Sequence, residues 1–382
     1  MQLVAYGAQD IYLTGNPQIT FFKVVYRRHT NFSMESIEQT FNGTAGFGKR
    51  VTATISRNGD LVNGMWLELQ PTVATAATDY GFGNALVKTA ELEIGGQLID
   101  KHYGEWMNIW TELSVPEGKR AGYDAMVGNI AGGTGLTHNG GKASDGVHYV
   151  DVPLQFWFCR NPGLALPLIA LQYHEVKLVL EFRTEAEVSD GGATMTLNST
   201  KLWVDYVYLD TDERRRFAQI SHEYLIEQVQ FTGDESITDN TDKKMTLNFN
   251  HPCKELIWVV HTDGQPLLDF TATFSKAKLQ LNGHDRFAER RMEYFSHVQP
   301  YKHHTRIGRT ANNQDIFVYS FALQPEEHQP SGTCNFSRID NAVLTMTAPQ
   351  TVGNAAGVCK VFAVNYNVLR IMSGMGGLAY SN

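Results

Sequence analysis

Residues 90–96 of the chain read AELEIGG, and residues 277–283 repeat that pattern as AKLQLNG. Apolar residues at every second position, followed by two turn-forming residues, predict a β-strand that ends in a tight hairpin. Two more pairs of segments repeat in the same order: IEQTFNG at 37–43 corresponds to IEQVQFTG at 226–233, and VDYVYL at 204–209 corresponds to VNYNVL at 364–369. Because self-similarity in a fixed order indicates a duplicated unit, the sequence predicts two copies of one β-domain.

The remaining periodicities are mostly those of strands. The run Leu256–Val260 is apolar throughout, which predicts a strand buried on both faces. Helical spacing is scarce. It indicates one short amphipathic helix through Tyr103, Trp106, Met107, Trp110 and Leu113, and a second through Ala288, Met292 and Phe295. Many strands with little helix are typical of β-sandwiches and barrels.

The composition excludes several classes of protein. The 382 residues are 42% hydrophobic and 19% charged, which is incompatible with disorder over most of the chain. The formal net charge of −8 disfavours binding to nucleic acid through overall charge. No apolar run approaches the roughly 20 residues of a membrane helix, and residues 1–10 do not resemble a signal peptide. The four cysteines lack metal or redox spacing, so we expect reduced thiols in a soluble protein made inside the cell.

No motif predicts a catalytic, cofactor-binding or metal-binding residue. Residues 43–50 (GTAGFGKR) resemble a phosphate-binding loop, but Arg50 stands where Ser or Thr is needed and a strand pattern follows. A hairpin loop is therefore expected there. His303 and His304 are adjacent and would point to opposite faces of a strand, so we expect them at a surface or interface and not on a shared metal.

Two sets of polar residues keep further possibilities open. Glycoside hydrolysis needs two carboxylates on opposite sides of a cleft. Two pairs of acids have the two-residue spacing that places both side chains on one face of a strand: Glu91 and Glu93, and Asp210 and Asp212. Exposed strand faces also commonly carry such pairs. Four asparagines begin an N-x-S/T sequence and are candidate sites of N-glycosylation: Asn31, Asn42, Asn198 and Asn335.

Several long blocks resemble one known family. The block at residues 15–32 (GNPQITFFKVVYRRHTNF) closely resembles the N-terminal part of the major capsid proteins of nucleocytoplasmic large DNA viruses. Further blocks that resemble this family stand at 282–287 running on to 299–301, at 331–341, at 365–370 and at 377–382. The resemblance extends from about residue 10 to the end of the chain.

The resemblance implies an all-β double jelly roll, with two eight-stranded antiparallel β-sandwiches in tandem and a few short helices. It implies a structural subunit of the virion that forms homotrimers, which are pseudo-hexameric capsomers of the icosahedral shell. Its expected partners are neighbouring capsomers and the minor capsid and penton proteins, with an inner viral membrane nearby and no direct contact with nucleic acid. Assembly in the host cytoplasm, no enzymatic activity and no cofactor are expected.

The repeat and the resemblance together predict the domain division. We expect an N-terminal arm at 1–20, a first jelly roll at 21–212, a linker at 213–223 and a second jelly roll at 224–382. The segments Thr72–Ala85 and Gly128–Gly146 are rich in small residues and are predicted to be loops. The resemblance makes them candidates for the outward-facing loops of the family. The alternative functions for such a fold are a glycan-cleaving hydrolase and a carbohydrate-binding protein.

Overall fold

The computed structural model describes residues 7–73, 77–78, 80–129, 136, 147–190, 194–307 and 315–381. The strands before residue 210 are β1 (Phe32–Gln39), β2 (Phe41–Asn42), β3 (Arg50–Thr54), β4 (Leu61–Val73), β5 (Ala77–Thr78), β6 (Val87–Ile94), β7 (Gln97–Tyr103), β8 (Val150–Pro153), β9 (Leu166–Pro167), β10 (Val176–Phe182), β11 (Ser189–Asp190) and β12 (Met195–Leu209). The strands after residue 220 are β13 (His222–Ile237), β14 (Lys243–Thr246), β15 (Pro252–Thr262), β16 (Thr273–Leu281), β17 (His284–Asp285), β18 (Arg290–Arg291), β19 (Phe317–Ser320), β20 (Cys334–Asn335), β21 (Ala342–Gln350), β22 (Gly357–Met372) and β23 (Met375–Leu378).

The helices are short. The α-helices are α1 (Ile11–Thr14), α2 (Phe82–Leu86), α3 (Gly104–Ser114), α4 (Glu117–Met126), α5 (Trp157–Arg160), α6 (Thr211–Gln219) and α7 (Gln299–His303). A π-helical turn at Tyr294–Val298 precedes α7, and 3₁₀ turns occur at Pro162–Leu164, Leu168–Ala170, Glu185–Glu187, Phe336–Arg338 and Val352–Asn354. None of the helices in the described ranges is long and apolar enough to cross a membrane.

Each half of the chain folds into two main antiparallel sheets whose shared strands stand in the same order, and β5 and β11 form a separate two-stranded sheet in the first half. In the first half the sheets run β1-β12-β4-β8 and β2-β3-β10-β6-β7. In the second half they run β13-β22-β15-β19 and β14-β21-β16-β17. In both halves the first long strand pairs with the last long strand: β1 pairs with β12, and β13 pairs with β22. That last long strand also pairs with a strand from the middle of its half, which is β4 for β12 and β15 for β22. This shared strand order is the jelly-roll topology, so the predicted duplication is confirmed.

The repeated motif that ends in two turn-forming residues is a hairpin turn in both halves. Gly95 and Gly96, which join β6 to β7, have φ values of 59° and 82°. Asn282 and Gly283, which join β16 to β17, have φ values of 50° and 80°. A two-residue turn with positive φ at both positions matches the twist of the strands and favours Gly and Asn, which explains why the motif recurs.

Strand β15 is buried on both faces, as its sequence predicts. Leu256, Trp258 and Val260 point into the core of the second sandwich. Ile257 and Val259 point the other way, into a hydrophobic core that is shared with the first sandwich. One sheet of the second sandwich is therefore covered by its partner sheet on one side and by the first sandwich on the other.

The predicted helices and loops need some correction. The first predicted helix is present as α3, but Tyr103 ends strand β7. Residues 104–113 are all buried, so the helix lacks the exposed face of the predicted amphipathic helix. The second helix is present but begins after Ala288, because strand β18 intervenes. The prediction that Thr72–Ala85 forms a loop is wrong for its last residues, because Phe82–Leu86 form the buried helix α2. Of the predicted loop Gly128–Gly146, residues 130–135 and 137–146 lie outside the described residues.

The charged junction between the two halves is helical. Residues 211–219 form α6, and the Asp210 side chain accepts a hydrogen bond from the Thr211 N–H group. Arg214 of this helix lies 3.0 Å from the buried Asp60 carboxylate. The junction therefore packs on the first sandwich as a capped helix.

Candidate functional site: the interface between the sandwiches and the N-terminal arm

Helix α3 fills the space between the two sandwiches with aromatic side chains. The ring centroid of Trp106 lies 5.5 Å from that of Phe362 on β22, and Tyr103 lies 5.0 Å from Phe231 on β13. These contacts join residues of the first half to strands of the second. Aromatic pairs at such distances add to the free energy gained from apolar burial, so the interface is built like the interior of a single domain.

A buried carboxylate on α3 binds cations from both sandwiches. The Glu105 carboxylate lies 2.8 Å from the guanidinium of Arg183 in the first half and 2.8 Å from the ammonium group of Lys360 on β22. Burial alone raises the pKa of a carboxyl group, but the two cations outweigh it and lower the pKa of Glu105 to about 2. The interface is therefore held by a charged cluster as well as by apolar contacts.

A second buried carboxylate repeats this arrangement from the opposite side. Glu227 on β13 lies 2.8 Å from Lys254 and 3.2 Å from Arg160, which belongs to α5 of the first half. Despite burial, Arg160, His328 and Lys254 lower the pKa of Glu227 to about 2. The Arg160 guanidinium also lies 4.8 Å from the centre of the Trp110 ring on α3. A cavity of about 290 Å³ adjoins this cluster, and Glu227, Arg160 and His328 are among the residues that line it.

The side chain of His304 is fully buried between two carboxylates, and its ring centroid lies 6.5 Å from that of Trp110 on α3. Of the predicted surface or interface position, the surface is therefore wrong, and His304 follows a helix and not a strand. It follows α7, and its two ring nitrogens lie 2.8 Å from Glu255 and 2.9 Å from Glu326. Burial lowers the pKa of an imidazole, but the two carboxylates outweigh it and raise the pKa of His304 to about 9. No group of three or more potential ligands that could hold a metal ion occurs within the described ranges.

The residues considered for other chemistry occupy ordinary structural places. Glu91 is paired with Arg50 at 2.9 Å and with Lys101 at 2.8 Å, so it is not a free carboxylate facing a cleft. Residues 43–50 lead into strand β3 and not into a helix, as expected for a hairpin loop. All four cysteines are free thiols. The four candidate glycosylation sites are exposed in the single chain, although Asn198 donates to Thr72 and Asn335 accepts from Ser337.

The described residues before β1, 7–31, form an almost completely exposed arm that is longer than the arm predicted at 1–20. From residue 7 to residue 31, only Asp10 is even partly buried. Large apolar side chains on the arm are exposed, with exposed fractions of 89% at Phe21, 97% at Phe22 and 86% at Tyr26. The arm leads into β1, an edge strand with one unpaired side whose Phe32 and Met34 are half exposed. Exposed apolar surface of this extent marks an interaction site.

Sequence reasoning missed the two buried carboxylate clusters. Glu105 and Arg183 are 78 positions apart, and Glu105 and Lys360 are 255 apart, so no local spacing connects them. One signal was available on α3, where Glu105 and Glu112 stand seven residues apart among the aromatic residues whose spacing predicts this helix. Acids on a buried helix face need buried cations as partners.

The fold and this interface define a class of protein. Two sandwiches of the same jelly-roll topology are fused through a shared core and buried charge clusters, which makes the chain a double jelly roll. Residues 20–210 match the family model of the major capsid protein N-terminus, and residues 213–377 match that of the large eukaryotic DNA virus major capsid protein. The chain belongs to this family of major capsid proteins, and it is a structural protein of the virion capsid.

Individual relatives agree over the whole length. The major capsid protein of Pyramimonas orientalis virus is 57% identical and covers 100% of this chain and 99% of its own length. The capsid protein in the quasi-atomic model of the PBCV-1 virus capsid is 40% identical, with a TM-score of 0.81 over 95% of this chain and 100% of its own. The Faustovirus major capsid protein, at 12% identity and a TM-score of 0.78, shares the fold.

Proposed function

We propose that this chain forms homotrimers that serve as the capsomers of an icosahedral shell. Three chains contribute six sandwiches of one topology, which is the number needed to fill a six-fold lattice position. The observation that carries this proposal is the shared strand order of the two halves, together with the core that fixes them to each other. A rigid pair of similar sandwiches can present nearly equivalent outer faces six times around one axis.

The proposal extends to the surroundings of the capsomer. Its partners would be neighbouring capsomers and the minor capsid and penton proteins, with an inner viral membrane nearby and no direct contact with nucleic acid. The net charge of −8 supports a role away from DNA. We further propose that the chain acts without enzymatic activity or cofactor and assembles in the host cytoplasm.

The domain division and the glycan sites belong to the same proposal. We propose an arm at 1–20, jelly rolls at 21–212 and 224–382, and a linker at 213–223 that contains most of α6. The exposed candidates Asn31, Asn42, Asn198 and Asn335 would be accessible to glycosylation in a single chain. Intact-mass measurement of protein purified from virions would show whether any of them carries a glycan.

Light scattering on a sizing column tests the assembly state. A chain has a mass of 42.7 kDa, so we expect a concentration-independent species of about 128 kDa. A folded species that stays at the mass of one chain at all concentrations would contradict the proposal. Screening for glycan binding and hydrolysis would then be the next step.

A further inference from the structure

Two cysteines stand directly opposite each other in the second sandwich. In the antiparallel pairing of β15 with β20, Cys253 is the register partner of Cys334. Residues in such positions share one face of the sheet, and their Cα atoms lie roughly 4.5–5.5 Å apart. Because a disulfide needs Cα atoms about 4.4–6.8 Å apart, the backbone already holds this pair within bonding range.

The two thiols differ in their access to solvent. Both side chains border the core of the second sandwich, but Cys253 is fully buried whereas Cys334 is partly exposed. The S–H group of Cys253 donates to the Glu255 carbonyl oxygen at 3.1 Å. A thiol is a weak donor, so the loss of this hydrogen bond opposes a disulfide only slightly. A reagent in solution would therefore reach Cys334 first.

The pair stands at the base of a long connection that packs between the sandwiches. The chain leaves one edge of β15 with β19 and returns to the same edge with β20. Between these two strands, Glu326 lies 2.9 Å from His304. In the same connection, His328 lies 3.5 Å from Glu227, one of the two buried carboxylates at the interface. A covalent bond at Cys334 would fasten this connection to β15.

We propose that Cys253 and Cys334 are a site of oxidative modification, where an intrachain disulfide forms once the virion leaves the reducing interior of the cell. Thiols stay reduced in the cytosol, whereas disulfides form and persist outside it, at virion surfaces included. The pair would be a dithiol while the chain folds and a crosslink in the released particle. The inference concerns one chain and does not depend on the proposed trimer.

Thiol–disulfide exchange with a small disulfide, such as oxidised glutathione, supplies the oxidation. The Cys334 thiolate attacks one sulfur of the reagent, which forms a mixed disulfide and releases one glutathione thiolate. The Cys253 thiolate then attacks the Cys334 sulfur, which forms the protein disulfide and releases the second glutathione thiolate. The two cysteine protons pass through solvent to the released thiolates. The chain thus loses two electrons and two protons, and the reagent gains them.

Burial makes this reaction slow. Removal from water raises the pKa of both thiols, and the guanidinium of Arg286 offsets this only in part at Cys334. Little thiolate is present at neutral pH, so we expect the exchange to take hours. A slow reaction leaves the thiols reduced while the chain folds and still goes to completion in a long-lived particle.

Thiol counting on the folded chain tests the site. Reduced protein is incubated with oxidised glutathione at about pH 8.5, where more thiolate is present, and is then unfolded and titrated for free thiols. The count should fall from four to two. A peptide map by mass spectrometry should show Cys253 linked to Cys334, and a non-reducing gel should show single chains.

Two variants separate this pair from general thiol oxidation. Cys253→Ala removes the second nucleophile, so Cys334 should stop at the glutathione adduct. The matched control is Cys359→Ala, which removes a fully buried thiol that borders the same core. Cys359 stands opposite Glu235 and Val260 and not opposite a cysteine. This control should form the disulfide as the wild type does and lose two of its three thiols.

The melting temperature measures what the crosslink does to the fold. Oxidation should raise it by roughly 5–15 °C, because the bond closes a loop of roughly 80 residues and restricts the unfolded chain. In Cys334→Ala, which changes a partly exposed side chain, the same treatment should leave the melting temperature unchanged.

Protein from purified virions tests the site in the assembled particle. After unfolding without reduction, alkylation should label Cys159 and Cys359, and it should label Cys253 and Cys334 only once a reductant has been added. Cys334 that is alkylated without reduction would overturn the inference.

The experiments on the purified chain can also contradict it. Four free thiols after prolonged incubation, or a disulfide that joins two chains or another pair of cysteines, would overturn the site. An oxidised chain that melts no higher than the reduced chain would overturn the claim that the bond fastens the connection.

Discussion

Glu105→Gln should destabilise the fold strongly, because it leaves two cations buried at the interface between the sandwiches. The change keeps the shape of the side chain but removes the charge that faces Arg183 and Lys360, both at 2.8 Å. Removing one partner of a buried ion pair typically costs about 3–5 kcal/mol. The lowered pKa of Glu105, about 2 against an ordinary 4.5, corresponds to roughly 3 kcal/mol by linkage, which agrees.

The pH dependence gives the same cluster a second signature. Because the pKa of Glu105 is lower in the folded state, its contribution is fully present above about pH 5 and is lost as the pH falls toward 2. The wild type should therefore lose stability over that range, and Glu105→Gln should lose less. Part of the loss of stability in Glu105→Gln should be recovered when Lys360→Met removes the ammonium group that Glu105 faces, whose remaining carboxylate partner is the half-exposed Asp234 at 3.6 Å. A double-mutant cycle would measure this recovery.

Urea unfolding followed by tryptophan fluorescence, at one fixed protein concentration, provides the measurement. The control is Glu181→Gln, which removes a partly exposed ion pair with Lys88 at 2.7 Å and should cost less than about 1 kcal/mol. A free energy of unfolding for Glu105→Gln that equals the control would refute the reasoning. The reasoning would also be refuted if adding Lys360→Met to Glu105→Gln lowered the free energy of unfolding further.

Three further predictions follow from single sites. Because the pKa of His304 is raised to about 9, its contribution to stability is present below about pH 6.5 and is lost as the pH rises through 9. The melting temperature of the wild type should therefore fall between about pH 6.5 and pH 9.5, and that of His304→Gln should fall less. Gly104→Ala should destabilise more than Gly96→Ala in urea unfolding. A Cβ atom at Gly104 would lie 2.2 Å from a backbone oxygen, whereas at Gly96 it meets nothing within 4 Å and costs about 1–2 kcal/mol from its positive φ alone. Trp258→Ala should cost about 3–5 kcal/mol, since the side chain is fully buried in the second core; a loss below 1 kcal/mol would contradict that core.

Local sequence patterns anticipated the parts of the fold that short-range physics determines. The repeated hairpin turns require positive φ at two adjacent positions, and the sequence supplies Gly or Asn there. The uninterrupted apolar run of β15 reflects a strand covered on both sides. The spacing of the aromatic residues predicted the presence of helix α3, although not that the helix is buried on all sides. In each case the signal lies within a few consecutive residues.

The missed features depend on partners that are distant in the sequence. Helix α2 lies in a stretch rich in Thr, Ala and Gly that reads as a loop, and it is helical because the core around it buries every one of its residues. His304 reads as a surface histidine, but Glu255 and Glu326 reach it from other elements. Tertiary contacts of this kind override local secondary-structure propensity, and they produce no periodic pattern in the sequence from which they could be predicted.

Electron microscopy of the purified assembly tests the central claim most directly. If three chains combine into one capsomer, class averages viewed down the main axis should show six lobes of similar size with three-fold symmetry and a pseudo-hexagonal outline. Particles with only two lobes, or rings with a number of lobes other than six, would contradict the account.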